Sequence, residues 1–333
     1  MIDIDFESLR NIGLTQAIAS QLHGIDQGTL VRVIQVHRDS IAVHDGVRES
    51  PARTIHGTTL AVGDWVVRDA AGAISACLDP TTVLTRRTED GRRQTLASNV
   101  DTALLVMGLD HDFSPRRLER YLALVHAAGV APVVVLTKRD IGIDPDLRQE
   151  QLQRRLPAHV PVFAVNALGG EAHAVLAPWL TCSQTLILLG SSGAGKSTLT
   201  NTLTAAQQLT GGVRDDDSRG RHTTTARSLH LCPGGACIID TPGLRALRLD
   251  ADEEQLDAAF DDIDTLAQQC QFRDCAHEAE PGCAVRGAVD EDRIRNYHKL
   301  LREVRRNRQT PLERIAERNK WKVLVKSMAA KDR

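Results

Sequence analysis

The strand-like run Thr185-Leu186-Ile187-Leu188-Leu189 leads into Gly190-Ser191-Ser192-Gly193-Ala194-Gly195-Lys196-Ser197, and a helix-forming stretch over 198–206 follows. That octapeptide matches G-x-x-x-x-G-K-[ST] without departure, in the strand-loop-helix setting the motif requires. No other feature restricts the fold of this chain as strongly. The glycines let backbone N–H groups converge on phosphate oxygens, Lys196 reaches the terminal phosphates, and the Ser197 hydroxyl is placed to ligate Mg²⁺. A nucleoside triphosphate is the expected ligand, with its base still open.

The flanking sequence supplies the rest of an α/β nucleotide domain. Residues 102–107, 131–136, 161–165 and 185–189 are apolar runs separated by helical segments, a pattern that predicts a parallel sheet covered on both faces. Ser114-Pro115 reads as an N-cap followed by a first-turn proline. Asp240-Thr241-Pro242-Gly243 ends another strand-like run, 236–239, so Asp240 is expected to hold Mg²⁺ through water and the Gly243 amide to sense a γ-phosphate. Before it lies Gly220-Arg221-His222-Thr223-Thr224-Thr225, where one of Thr223, Thr224 and Thr225 is expected to complete the Mg²⁺ shell. Thr137-Lys138-Arg139-Asp140 closes the strand 133–136 at the sheet edge where doubly wound folds bind ligands. The Asp140 carboxylate can accept from both N1–H and the exocyclic amine of guanine, a donor pair adenine lacks, and the Lys138 stem can cover the purine face. Asn166 and Ala167 end the next strand, where a backbone amide would meet guanine O6.

Three domains are expected: 1–95, 96–246 and 247–333. In the first, 30–34, 40–43, 58–60, 65–67 and 73–76 are short β-like runs broken by turn residues. They predict a small barrel, for which an OB-type fold fits the length and periodicity leaves an SH3-like one open. The third runs from the acidic stretch 250–264 to a basic tail and is too small to be held by burial alone. Within it Cys270, Cys275, His277 and Cys283 form C-x4-C-x-H-x5-C, a donor set suited to one tetrahedral structural Zn²⁺, with Asp274, Glu278 and Glu280 as carboxylates close enough in sequence to support it. Cys232 and Cys237 imitate half a zinc knuckle, but Pro233-Gly234-Gly235 between them is a hairpin signal, so they read as strand cysteines. Acidic and basic residues nearly balance, 43 against 41, so any nucleic-acid footprint must be local, and the cationic stretch 292–333 supplies one. Aromatics are 3% of the chain, which favours phosphate and shape contacts to structured RNA over base stacking. The start, MIDIDFESLR, carries no secretory pattern and no long apolar run exists, so a cytoplasmic, membrane-free location is expected.

With base-reading motifs placed ahead of the phosphate loop, the sequence resembles circularly permuted GTPases, specifically the ribosome small subunit-dependent GTPase A family, over essentially its whole length. The resemblance implies an N-terminal OB-type β-barrel, a central α/β permuted P-loop GTPase domain and a C-terminal helical zinc-binding domain with the same four ligands. It implies a GTP hydrolase, stimulated by the small ribosomal subunit, that binds rRNA late in maturation and leaves as GDP forms. A monomer is expected. Thr137 stands where the family's base motif usually begins with Asn, so one fewer polar contact should hold the base loop to the phosphate loop. Leu244 follows the D-x-x-G where many GTPases carry Gln, so intrinsic hydrolysis should be slow, and His222 is the expected water-orienting residue once a partner orders its loop. Two rivals stand beside this reading: an RNA-binding anti-association factor that uses nucleotide mainly for structural loading, and a P-loop ATPase or small-molecule kinase, which Asp140 disfavours.

Overall fold

The computed structural model describes residues 5–25, 27–37, 40–53, 59–88, 90–204, 227–243 and 247–308. His222, Thr223, Thr224, Thr225, Leu244 and the basic tail beyond 308 lie outside the described residues. Contacts divide the chain into two compact units, Met1–Arg248 and Leu249–Arg333.

The first unit opens with α1 (Phe6–Arg10) and α2 (Gln16–Ala19), followed by β1 (Thr29–Val36), β2 (Ile41–His44), β3 (Glu49–Ala52), β4 (Trp65–Arg68) and β5 (Ile74–Cys77). These strands pair antiparallel in the order β3-β2-β1-β4-β5, and a parallel bridge from Arg53 to Ala73 joins the two ends. Alternate residues point inward to one cluster: Val31, Val33, Ile41, Val43, Leu60, Val66 and Ile74. The strand expected over 58–60 does not form at Thr59 and Leu60; Leu60 is buried in that cluster from a loop instead, and Thr58 lies outside the described residues. In its place β3 pairs with β2. Its sequence, Glu-Ser-Pro-Ala, gave no β signal, yet Pro51 is tolerated there because an edge strand leaves one row of donors unused.

A separate hairpin, β6 (Val83–Arg87) and β7 (Arg93–Ser98), links these strands to the α/β layer. Then follow β8 (Thr102–Gly108), α3 (Pro115–Ala127), β9 (Ala131–Thr137), α4 (Pro145–Arg155), β10 (Val162–Ala164), α5 (Glu171–Leu176), β11 (Thr185–Leu189), α6 (Lys196–Leu203), β12 (Ser228–Leu231) and β13 (Cys237–Asp240). Sheet order is β10-β9-β8-β11-β13-β12, parallel except for β12, which runs antiparallel to β13. Every residue of β8 and β11 is buried, which is why both read as unbroken apolar runs. From β8 the chain winds outward through β9 and β10, whereas from β11 it crosses to the other side, forming the outer β12 first and returning as β13 next to β11. The crevice at this reversal is where such sheets bind ligands. Ser114 occupies the N-cap of α3 with extended backbone, and Pro115 its first turn, although the serine side chain makes no capping bond. Cys232 and Cys237 flank the β12–β13 turn as buried thiols, and burial pushes them up to about 12 and about 11, so both stay protonated near neutral pH.

The two sets of strands are one sheet, because Gln35 of β1 pairs with Ser228 of β12. Beneath that joint Arg32 is fully buried. Its guanidinium donates to Ile12 O at 2.5 Å, Thr185 Oγ1 at 2.9 Å, Asn99 O at 3.0 Å and Gly63 O at 3.4 Å, and lies 5.4 Å from the Trp65 ring centre. One cation thus satisfies acceptors from the turn after α1, the turn before β4, the β7–β8 connection and β11 together.

In the second unit α7 (Glu253–Ala258), α8 (Asp261–Ala267) and α9 (Glu291–Arg308) pack around Leu256, Phe260, Ile263, Ile294, Leu300 and Val304. Asp252 and Gln255 form a reciprocal capping box at the start of α7. Arg293 is buried, lies 4.5 Å over Phe260, and grips Asp262 with bonds of 2.6 and 2.9 Å. No helix among the described residues is long and apolar enough to cross a membrane.

Replacing Arg32 with Ala removes the donor from buried Ile12 O, Thr185 Oγ1 and Asn99 O, while Gly63 O keeps the Asn99 side-chain amide, so urea denaturation of the full chain is expected to show a loss of about 3 kcal/mol in the first unit. A loss below about 1 kcal/mol would show that the joint does not rest on this side chain.

Candidate functional site

The phosphate loop leaves the C-terminal end of β11 and enters α6. Gly195 caps that helix at φ +92°, a left-handed conformation, and a Cβ there would lie 3.1 Å from Thr137 Oγ1. Thr137 is fully buried at the end of β9, and its hydroxyl donates to Ala194 O at 2.6 Å. This bond ties the 137–140 loop to the phosphate loop. On the other side Gly243 presses against the loop so closely that a Cβ would come within 2.6 Å of Ser192 N and Cα. Thr241 anchors that approach by donating to Leu188 O at 2.6 Å.

Lys196 lies almost wholly buried under the loop, its Nζ donating to Gly190 O at 3.0 Å and Ser191 O at 2.7 Å. Burial pushes its pKa down to about 8, against the opposing pull of Asp240 and Asp112. Ser197 Oγ and Oδ2 of the buried Asp240 stand 3.5 Å apart, so the hydroxyl and carboxylate expected to share Mg²⁺ converge from α6 and β13.

On the base side, Lys138 takes φ +62° and its Nζ meets Asp110 Oδ2 at 2.6 Å. Arg139 points to acids, Glu171 and Asp146, at 3.1 Å each, while its amide donates to Val165 O. The Glu171 carboxylate also accepts from Asn166 N at 3.2 Å, and Thr202 of α6 donates to Ala167 O at 2.6 Å. The 137–140 and 166–167 loops are thus braced against each other and against the helix that follows the phosphate loop. Asp140 stands exposed at the tip.

Asp110, Asp112, Glu171 and Thr202 escaped the sequence reading, because none belongs to a spaced motif and each matters only through its partner. Asp112 is the least legible: its Oδ1 accepts from Ser191 Oγ and from Arg117 Nη2, both at 2.5 Å, and its Oδ2 from Gly108 N at 3.1 Å.

In the second unit the ligand atoms of Cys270, Cys275, His277 and Cys283 all lie within 4.8 Å of one another. Cys270 and Cys283 sulfurs are 4.0 Å apart, and His277 Nδ1 is 3.7 and 3.5 Å from them. Tetrahedral Zn²⁺ requires about 3.8 Å between sulfurs and about 3.6 Å between sulfur and nitrogen, so donor set and spacing both fit that ion. Glu280 supports the site indirectly, accepting from the amides of Ala276, Glu278 and Ala279 and bracing the turn that carries His277.

Fold and site together define a P-loop protein of the circularly permuted GTPase fold. The model of the RsgA GTPase family matches residues 77–250. The small ribosomal subunit biogenesis GTPase RsgA of Xanthomonas axonopodis pv. citri is 43% identical over 329 residues, spanning 92% of this chain and 89% of that protein. Its namesake from Xanthomonas oryzae pv. oryzae is 42% identical over the same shares. Among solved structures, YjeQ from Thermotoga maritima aligns with a TM-score of 0.62 at 25% identity, covering 84% of this chain and 99% of that one. YloQ, a circularly permuted GTPase, aligns at 0.59 and 24% identity, over 86% and 99%, a likeness of fold. The chain belongs to the RsgA GTPase family.

Polyphosphate favours the charged form of Lys196, so binding above a pKa of about 8 must take up a proton. The dissociation constant of GDP is accordingly expected to rise as pH climbs from 8 to 9. Calorimetry in buffers of different ionisation enthalpy reads the proton directly, and GDP binding at pH 9 without uptake would contradict the buried-lysine geometry.

Proposed function

We propose that the chain is a GTPase of small ribosomal subunit biogenesis, loaded with Mg²⁺·GTP in the β8–β11 crevice and released from the subunit as GDP forms. The observation that carries this reading is the convergence of Lys196, Ser197, Asp240 and Gly243 on one loop that Thr137 ties to the base-reading strand end. The relatives named for small-subunit biogenesis supply the partner.

In this reading residues 190–197 wrap the phosphates, with Lys196 on the terminal ones. Ser197, Asp240 through water, and one of Thr223, Thr224 and Thr225 hold Mg²⁺. Asp140 selects guanine, Lys138 covers its face, Thr137 and Arg139 set the base loop, and the Asn166-Ala167 turn meets O6. Leu244 offers no polar group to an attacking water, so hydrolysis waits until the partner brings His222 to that role. The five strands β1–β5 serve as an OB-type barrel, their closed order and the Arg53–Ala73 bridge supporting that assignment. With 1–95 as barrel, 96–246 as GTPase domain and 247–333 as zinc-stapled module, the two flanking domains dock on rRNA. The zinc ion is structural, since its closed ligand set leaves no position for chemistry. The chain acts as a cytoplasmic monomer.

GTP hydrolysis by the purified chain is expected to rise by orders of magnitude with small ribosomal subunits and to stay basal with large subunits. Stimulation by neither, or equally by both, would remove the small subunit from the account.

A further inference from the structure

The segment between β8 and α3 carries two acids that the phosphate and base motifs do not include. Asp110 faces the base loop, where its Oδ2 meets Lys138 Nζ at 2.6 Å, each side chain only 19% exposed. Asp112 faces the phosphate loop, where its Oδ1 accepts from Ser191 Oγ at 2.5 Å. The segment is itself fixed. Asp112 N donates to Asp110 Oδ1 at 3.1 Å, Phe113 N donates to Asp110 O at 3.2 Å, and Asp112 Oδ2 accepts from Gly108 N at the end of β8. Two guanidinium groups pin it from the flanking helices. Arg117 of α3 bonds the Asp112 carboxylate and carbonyl, and Arg148 of α4 donates to the Leu109 and Asp110 carbonyls while stacking 4.7 Å over Phe113.

We infer that residues 108–114 form a clasp dividing the nucleotide between two positioning residues, Asp110 for the base half through Lys138 and Asp112 for the phosphate half through Ser191. A lysine stem lies along a purine face only while its ammonium is held at the far end, because a free four-carbon chain samples many rotamers. Asp110 supplies that hold with a charge-assisted bond in a partly buried setting. Asp112 acts on the other loop, fixing the Ser191 side chain so that the backbone N–H groups beside it keep the curvature a phosphate needs. Because both acids sit on one short segment pinned by Arg117 and Arg148, the spacing between purine and phosphate contacts is set by this segment as well as by the Thr137–Ala194 bond.

The inference rests on the guanine-nucleotide reading of the site and is tested by calorimetric titration of the full chain with GDP and with inorganic pyrophosphate, which probes the phosphate half alone. Asp110→Asn is expected to weaken GDP about tenfold while shifting pyrophosphate by less than about twofold. Asp112→Asn is expected to weaken both ligands by similar factors. Lys138→Met breaks the same ion pair from the other side. It should reproduce the GDP-selective loss, and adding Asp110→Asn to it should cost nothing more. Equal loss of GDP and pyrophosphate in Asp110→Asn or Lys138→Met, or undiminished GDP binding in both, would overturn the clasp. Wild-type titrations with GDP and ADP test the guanine reading separately: failure to prefer GDP would remove that reading, whereas a preference for GDP with no split in the variants removes only the clasp.

Discussion

A hydroxyl-to-carbonyl bond of 2.6 Å, from Thr137 to Ala194, joins two loops that stand 57 residues apart in sequence. In the proposed reading one loop reads a base and the other wraps phosphates, and a nucleotide can span both only while their spacing is fixed. Parallel pairing of β9 with β8 and of β8 with β11 brings the loops to the same crevice. The threonine then ties them at the rim, where Gly195 has no Cβ to obstruct it. Since strand adjacency and not chain order sets this geometry, the base motif can precede the phosphate loop without changing the site. A threonine in place of the family's usual asparagine keeps one bond across the gap.

Much of this was legible in the sequence because it depends on local rules. The apolar strands 102–107, 131–136 and 185–189 announced themselves by continuous burial, and the glycine-rich loop by its spacing between strand and helix. The Cys270, Cys275, His277 and Cys283 cluster stood out because cysteines gather in a polar segment for few reasons other than metal binding. What stayed hidden depends on partners distant in sequence. Nothing in Glu49-Ser50-Pro51-Ala52 marks a strand until β2 offers it an edge. Arg32 reads as a surface charge in an alternating run, yet it is buried because five distant backbone and side-chain groups converge around it. Asp110, Asp112 and Glu171 are ordinary acids in sequence and become site residues only through Lys138, Ser191 and Asn166.

The continuity of the sheet bears on how a nucleotide signal travels. Strand β12 follows directly after the 205–226 segment, pairs with the Asp240 strand on one side and reaches β1 on the other. In the proposed cycle, a change at β12 would pass to β1 through backbone hydrogen bonds. At the other end, Gly243 lies against the phosphate loop a few residues before the second unit begins at Leu249.

The claim at the centre of this account is that the nucleotide decides whether the protein stays on its partner. Co-sedimentation of the chain with purified small ribosomal subunits, in a non-hydrolysable GTP analogue and in GDP at equal ionic strength, tests it most directly. The account predicts stoichiometric retention with the analogue and release with GDP. Equal retention in both would contradict it and leave nucleotide a structural role alone.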